Sequence, residues 1–294
     1  MDLLPIAIRQ HVLQFLKGET NQSVAIISTK PLSGGSINNA FEIETSVGNF
    51  FLKYNMASKF PQMFQKEAKG LECLRNTAAI DVPEILKTGE TGGLAYLLLS
   101  YVKSSPASTD FWKIFGKQLA ALHGNYASKF GLDHDNYMGS LTQSNRFHEK
   151  WDDFFVHERL VPQVKIARDS GEIGKTMVAA FERLYTKLNE ICPPAKPSLV
   201  HGDLWSGNFM VNGQGKPCLI DPAVYYGHPE VDIAMSTLFG GFDQTFYEVY
   251  NEFNPLEKGW RNRLDIYNLY PLLVHVNLFG GGYVHQVQRI VAKF

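Results

Sequence analysis

Three polar residues in this chain have the spacing of a phosphoryl-transfer centre. In the run His201-Gly202-Asp203-Leu204-Trp205-Ser206-Gly207-Asn208, Asp203 precedes Asn208 by five positions, and Asp221 of Ile220-Asp221-Pro222 lies thirteen residues beyond Asn208. An Asp, an Asn five positions on and a second Asp after a short hairpin is how phosphotransferases arrange a base and two metal ligands. The transferred group needs hard cations and an oriented hydroxyl close together, and magnesium takes few protein oxygens, completing its shell with water and phosphate. Asn208 and Asp221 offer suitable oxygens, while Asp203 is placed to orient an acceptor hydroxyl and take its proton. Phe209-Met210-Val211 and Cys218-Leu219-Ile220 read as two short strands joined by the turn Asn212-Gly213-Gln214-Gly215. Such a hairpin carries Asn208 and Asp221 on opposite ends of adjacent strands. Taken singly, each of the three is as readily a turn residue; their order around the hairpin is what points to phosphoryl transfer.

The first hundred residues alternate as a small sheet with one long helix. After an amphipathic helix over 4–16, segments 24–30, 40–45 and 49–54 read as strands, with Gly34, Gly35 and Ser36 in the turn between the first two. A glycine turn there can bring backbone N–H groups to phosphate oxygens, or it is simply a hairpin turn. The third strand supplies Lys53. In the helix predicted over 60–75, Phe64, Ala68, Leu71 and Leu74 form an apolar stripe with Glu67 at its edge and Glu72 farther off it. A lysine held by a partly inward glutamate can meet nucleotide phosphates; the alternative is two ordinary surface charges.

Two more strands are predicted at 84–87 and 94–100, the second almost uniformly apolar and therefore central. The polar, proline-bearing stretch 104–108 reads as a linker, which sets lobes at 1–102 and 103–294. An adenine would rest against main-chain groups of Ser100, Tyr101 and Val102. Beyond the linker the pattern is helical, over 110–123, 149–169, 173–191, 230–239, 244–252 and 260–291, the last with an interruption expected at Pro271.

Composition is compatible with this. The 294 residues, 45% of them hydrophobic, suffice for a large core and two lobes. A formal net charge of -1, from 28 basic and 29 acidic residues, supplies no global field for nucleic acid or an anionic membrane. Cys73, Cys192 and Cys218 lack metal-type spacing and fit free thiols in a reducing compartment. No segment reaches the roughly 18 apolar residues of a membrane span, so a soluble cytoplasmic protein is expected. His123, His228 and His275 are single histidines without ligand spacing.

The segment from His201 through Asp221-Pro222-Ala223-Val224-Tyr225-Tyr226-Gly227-His228-Pro229-Glu230-Val231-Asp232, ending at Leu238-Phe239-Gly240-Gly241-Phe242, resembles the fructosamine kinase (ketosamine 3-kinase) family. Two stretches agree: 139–163, with Gln143, Asn145, Trp151 and Arg159-Leu160, and Leu278-Phe279-Gly280-Gly281-Gly282-Tyr283. The resemblance covers nearly the whole chain, more specifically in the second lobe. It implies an α+β, two-lobed protein-kinase-like fold with an N-terminal antiparallel sheet, one long helix and a mainly helical C-terminal lobe. It implies ATP and magnesium, Asp203 as base, Asn208 and Asp221 as metal ligands, and Lys53 paired with Glu67 as nucleotide anchor. Asp232 matches an aspartate that caps backbone donors near the catalytic loop. Where some relatives carry a regulatory cysteine in the glycine turn this chain has Ser36, so thiol switching there is not expected. Ser100 stands where kinase-like chains often have an acid.

The implied reaction moves the γ-phosphoryl group of ATP to the O3 hydroxyl of a ketosamine, free or on a protein lysine, as a deglycation repair. For the sugar, Trp205, Tyr225, Tyr226 and Trp151 offer stacking faces, worth roughly 0.5–2 kcal/mol toward a cationic amine, and Gln143 and Asn145 offer polar groups. Core burial explains such aromatics equally well. His201 reads as a structural hydrogen-bonding residue. The alternatives are a small-molecule kinase for an aminoglycoside, a choline-like alcohol or another sugar, and, in a different class, a catalytically silent nucleotide-binding module.

Overall fold

The computed structural model describes residues 4–32 and 37–294. The turn residues Gly34, Gly35 and Ser36 lie outside them. Helix α1 (Ile6–Thr20) buries Ile8, Val12 and Leu16 at successive turns. Strands β1 (Ile26–Leu32), β2 (Asn39–Thr45) and β3 (Gly48–Met56) lead into α2 (Met63–Asn76), followed by β4 (Ile85–Thr91) and β5 (Leu94–Ser100). The five strands form one antiparallel sheet in the order β1-β2-β3-β5-β4.

This sheet is covered on both faces. Ile8, Val12 and Leu16 of α1 pack with Phe41, Ile43, Leu52, Tyr96 and Leu98, whereas Phe64 and Leu71 of α2 pack with Ala95, Leu97 and Leu99 on the other side. Successive side chains of a strand point to opposite faces, which is why the central β5 is apolar throughout. The same alternation aims Lys53: Leu52 faces α1, so Lys53 faces α2 and Glu67.

The rest of the chain is mainly helical. It runs through α3 (Phe111–His123), the hairpin β6 (Asn136–Met138) and β7 (Leu141–Gln143), α4 (Trp151–Phe154), a π-helical turn (Phe155–Leu160), α5 (Val161–Asp169), α6 (Lys175–Tyr185) and α7 (Leu188–Ile191). Then come β8 (Ser198–Val200), β9 (Phe209–Val211), β10 (Pro217–Leu219), β11 (Tyr225–Gly227), α8 (Glu230–Leu238) and α9 (Gln244–Phe253). β9 pairs with β10 and β8 with β11. The last helices are α10 (Trp260–Tyr267), α11 (Leu269–Phe279) and α12 (Gly282–Val291). Among the described residues no helix is long and apolar enough to cross a membrane.

The C-terminal interruption differs from its expected place. Pro271 lies within the first turn of α11, and the breaks fall at Asn268 and at Gly280-Gly281. Proline withholds the N–H that would bond the carbonyl four residues back and crowds that carbonyl, here that of Tyr267. The ladder therefore parts one turn before the proline. The second break uses two glycines at φ 62°, a region open to glycine at little cost.

The stretch after β5 is less free than its linker-like composition suggests. The Ser105 N–H donates to the Val211 carbonyl, its hydroxyl to the Asn212 carbonyl at 2.6 Å, and the Ser108 N–H to the Gly215 carbonyl. The Leu219 N–H donates to the Asp81 carbonyl, and Asn212 Nδ2 to Asp81 Oδ2. The β9–β10 hairpin is thus braced from the N-terminal side of the chain.

At the start of α8 the buried Glu230 carboxylate takes two hydrogen bonds from Arg263, Nε to Oε2 at 2.8 Å and Nη2 to Oε1 at 2.5 Å. Breaking a buried pair from one side strands the other charge at a cost of about 3–5 kcal/mol. Arg263→Leu should therefore lower the calorimetric unfolding temperature markedly, and the double variant Arg263→Leu/Glu230→Leu should recover part of the loss. An unchanged transition in the single variant would contradict the pairing.

Candidate active site

Lys53 is 4% exposed and needs oxygens to remain charged. Its ammonium lies 2.5 Å from Glu67 Oε1 on α2 and 2.7 Å from Asp221 Oδ1 after β10. Burial alone would lower its pKa, but Asp221 and Glu67 raise it above the ordinary lysine value. Burial pushes the Glu67 carboxyl up to about 7, with Lys53 pulling it down and Asp221 adding to the rise. The Lys53 ammonium thus opposes the loss of charge that burial favours at Glu67. α2 is held close to this segment, since a Cβ on Gly70 would come within 3.3 Å of the Val224 side chain.

Asp232, fully buried at the start of α8, organises the loop before Asp203. Its carboxylate accepts the backbone N–H groups of His201 at 2.7 Å and Gly202 at 2.9 Å, and His123 Nε2 lies 3.1 Å from it. His123 in turn meets the Tyr250 hydroxyl through Nδ1. Gly202 has φ 82°, and a Cβ there would fall 2.1 Å from the Ala223 carbonyl oxygen, so only glycine lets the loop pass this close. His201 Nδ1 accepts the Asp203 N–H and Nε2 donates to the Ile220 carbonyl. Burial lowers its pKa. With both ring nitrogens engaged by backbone, His201 serves structure.

The Asp203 carboxyl is pushed up to about 7, first by burial, with Asp221 and Asp232 adding to the rise and Asn208 opposing it. Asn208 Nδ2 donates to the carbonyl and to Oδ2 of Asp203, each at 2.8 Å. Both partners are acceptors, so the amide orientation is set and Asn208 Oδ1 is left for another donor or a cation. The Ile220 N–H donates to the Asn208 carbonyl, tying Asn208 to the residue before Asp221. Asp221 sits at φ 52°, a left-handed conformation that Asp tolerates better than most residues, and its side chain is 52% exposed. Two uncommitted hard oxygens, Asn208 Oδ1 and Asp221 Oδ2, fit magnesium by donor type. No group of three His, Cys, Asp or Glu side chains among the described residues could hold a metal. A cation here would complete its shell with water and phosphate.

These residues share one cavity of about 460 Å³, lined by Lys53, Glu67, Asp203, Trp205, Asn208 and Asp221. Its far wall carries Phe239, His275, Phe279 and Tyr283, and the β6–β7 hairpin contributes Tyr137 and Met138. Of the six residues proposed for sugar contact, Trp205 lines the cavity and the other five do not. Trp151 and Tyr225 are core side chains, and Gln143 and Asn145 are buried. Gln143 Nε2 donates to Asn136 Oδ1 and the Ala223 carbonyl and its Oε1 accepts the Tyr270 hydroxyl, while Asn145 Oδ1 accepts from the buried Arg159. Tyr225 lies under the Arg159 guanidinium, 4.0 Å from its ring centroid. These groups are consumed within the protein. Tyr226 pairs with Leu199 in the β8–β11 ladder, and its backbone exchanges hydrogen bonds with Gly131; it does not line the cavity. Ser100, Tyr101 and Val102 are also outside this lining, and the Ser100 hydroxyl accepts the Glu84 N–H at 2.8 Å.

Residues that sequence reasoning missed lie on that far wall. His275, Phe279 and Tyr283 recur every fourth position, a spacing that marks one helical face. The glycine break between the last two, and the usual assignment of such a face to a core, conceal it.

The chain has relatives of known kind. The fructosamine kinase family profile matches residues 8–294. A Synechocystis sp. protein described as a probable ketoamine kinase is 38% identical over 97% of this chain and 96% of its own. The chloroplastic protein-ribulosamine 3-kinase of Arabidopsis thaliana is 36% identical over 98% of this chain and 87% of its own. The crystal structure of a Haemophilus somnus protein described as a fructosamine-3-kinase superposes with a TM-score of 0.87 at 32% identity, covering 96% of each chain. The two lobes are those of the protein-kinase-like fold, and the chain belongs to the fructosamine kinase family, whose members are phosphotransferases acting on a hydroxyl group.

Proposed function

We propose that this protein transfers the γ-phosphoryl group of ATP, with magnesium, to the O3 hydroxyl of a ribulosamine- or fructosamine-type ketosamine, free or protein-borne. The observation that carries this reading is the convergence of Asp203, Asn208, Asp221 and the Lys53–Glu67 pair on one cavity. Its volume suits one small substrate. Among the described residues its only carboxylates are Glu67, Asp203 and Asp221, each engaged in the catalytic cluster. An aminoglycoside carries several ammonium groups and calls for further acids, whereas a ketosamine has one amine and a short polyol.

In this mechanism Lys53, oriented by Glu67, meets the α- and β-phosphates. The adenine rests on the backbone of Ser100, Tyr101 and Val102, where the lobes join. Asn208 and Asp221 would hold magnesium, which would offset the negative charge of the phosphates. Asp203 orients the O3 hydroxyl and takes its proton as the new O–P bond forms and ADP leaves. Burial favours this role, because a carboxylate whose pKa is raised is a stronger base. Trp205, between base and metal-ligand Asn, offers an aromatic face to the sugar. Phosphate at O3 then favours loss of the sugar by elimination, releasing the amine. The three unpaired thiols support a reducing compartment such as the cytoplasm.

Asp203→Asn should retain nucleotide binding and lower turnover at least ~10²-fold, the scale of losing a general base; near-normal turnover would remove Asp203 from the mechanism. Asp221→Ala should abolish activity and weaken magnesium-ATP binding in calorimetry, as chelation of magnesium should in the unaltered enzyme. Unchanged magnesium-ATP affinity would contradict the ligand assignment. Across a panel of acceptors, a ribulosamine or fructosamine should show much higher kcat/KM than kanamycin-like compounds or choline. Turnover of an aminoglycoside with every ketosamine untouched would overturn the substrate.

A further inference from the structure

The far wall of the cavity contains a hydrogen-bond acceptor that the phosphoryl-transfer chemistry does not use. His275 Nδ1 lies 2.8 Å from the Pro271 carbonyl oxygen one turn back on α11. A carbonyl can only accept, so Nδ1 carries the proton and Nε2 of the neutral ring has a free lone pair. Among the described residues Nε2 has no partner, and it is absent from the buried, unsatisfied nitrogens. Since His275 lines the cavity, this acceptor is accessible to a ligand there.

Its surroundings define what it can accept. The imidazole packs 5.1 Å from the Phe239 ring, 5.6 Å from Phe279 and 4.9 Å from Tyr283, centroid to centroid, and Phe239 continues edge-on to Trp205 at 5.7 Å. Aromatic faces attract a cation through their ring quadrupoles. A lone pair among such faces suits a donor that is itself positive. Asn38, which also lines the cavity, accepts at Oδ1 from Asn55 Nδ2, which leaves the Asn38 amide N–H groups to donate toward hydroxyl oxygens. Phe239 and Phe279 are 39% and 57% exposed and stand at the cavity mouth, so a substituent on a nitrogen bound there can continue into solvent.

We propose that His275 determines specificity by accepting an N–H hydrogen bond at Nε2 from the substituted ammonium of the acceptor, inside a wall formed by Phe239, Phe279 and Tyr283. This rests on the ketosamine reading for the identity of the ammonium, while its test reads binding and not turnover. His275 then selects amine-bearing sugars over the parent sugar and takes no part in the proton transfer at Asp203.

The experiment is calorimetric titration of fructosyl-lysine and of fructose into the unaltered protein, His275→Phe and His275→Gln, with AMP-PNP affinity as the measure of an intact fold. His275→Phe keeps an aromatic ring and removes the acceptor; it should weaken fructosyl-lysine binding at least tenfold and leave fructose and AMP-PNP binding within about twofold. His275→Gln restores a side-chain acceptor and should recover part of the loss. Equal losses for both sugars, or unchanged affinity for fructosyl-lysine in His275→Phe, would overturn the assignment. His275-dependent binding of fructosyl-lysine without phosphoryl transfer to it would overturn the proposed reaction and leave this subsite standing.

Discussion

A lysine ammonium removed from water must be surrounded by oxygens, and that requirement at Lys53 links the parts of this molecule. Its side chain issues from the middle of the sheet, on the face that α2 covers, and its two partners come from α2 and from the end of the β9–β10 hairpin. Glu67 and Asp221 are far apart in sequence and meet only at this nitrogen. Coulomb attraction between such groups is stronger away from bulk water, as is the penalty for leaving one alone. The ion cluster therefore sets where α2 and the hairpin lie relative to the sheet. A bound nucleotide would find the lysine already aimed and one carboxylate already beside the phosphates.

A second constraint acts through backbone donors. The turn that presents Asp203 has no regular ladder of its own, and buried N–H groups without partners are costly. Asp232 answers this with one carboxylate for two donors, and His201 answers it with one imidazole for a donor and an acceptor. Asn208 then ties the Asp203 carboxylate to the hairpin. Asp232, His201 and the Asn208 amide nitrogen thus have their hydrogen bonds spent on the loop that carries the base. Preorganisation of this kind places charge where the reaction develops it.

The parts of the site that sequence spacing made legible are those whose geometry is local. Asp203, Asn208 and Asp221 surround one short hairpin, and the alternation of β3 together with the stripe of α2 sufficed to aim Lys53 and Glu67 at each other. What stayed hidden depends on contacts between distant segments. Trp151, Tyr225, Gln143 and Asn145 have the side chains a sugar site uses, and nothing in their spacing distinguishes a cavity wall from a buried network. Gln143 and Asn145 are held by Asn136 and Arg159 and support the hairpin whose outer residues line the cavity. Strands β6, β7, β8 and β11 are three residues each, too short for a periodic pattern, and β8 and β11 exist through pairing across an intervening hairpin. The helix break near Pro271 was legible as an event but shifted by one turn, since a proline disrupts the carbonyl before it and not its own position.

The two sides of the cavity are built on different physical terms. On the chemical side Lys53 and Glu67 form a buried ion pair, so a substitution of either strands its partner at a cost of several kcal/mol. The opposite wall is made of ring contacts from the end of α8 and from α11 and α12, with Phe239 and Phe279 partly in solvent. Exchange of such half-exposed rings costs about 1 kcal/mol or less. It disturbs no ion pair. The glycine pair separates α11, which carries His275 and Phe279, from α12, which carries Tyr283, and the rings meet across the break, Tyr283 4.9 Å from His275. A scaffold divided this way can hold the phosphoryl-transfer geometry constant while the wall that meets the amine is altered, because the two share a cavity and almost no polar bonds.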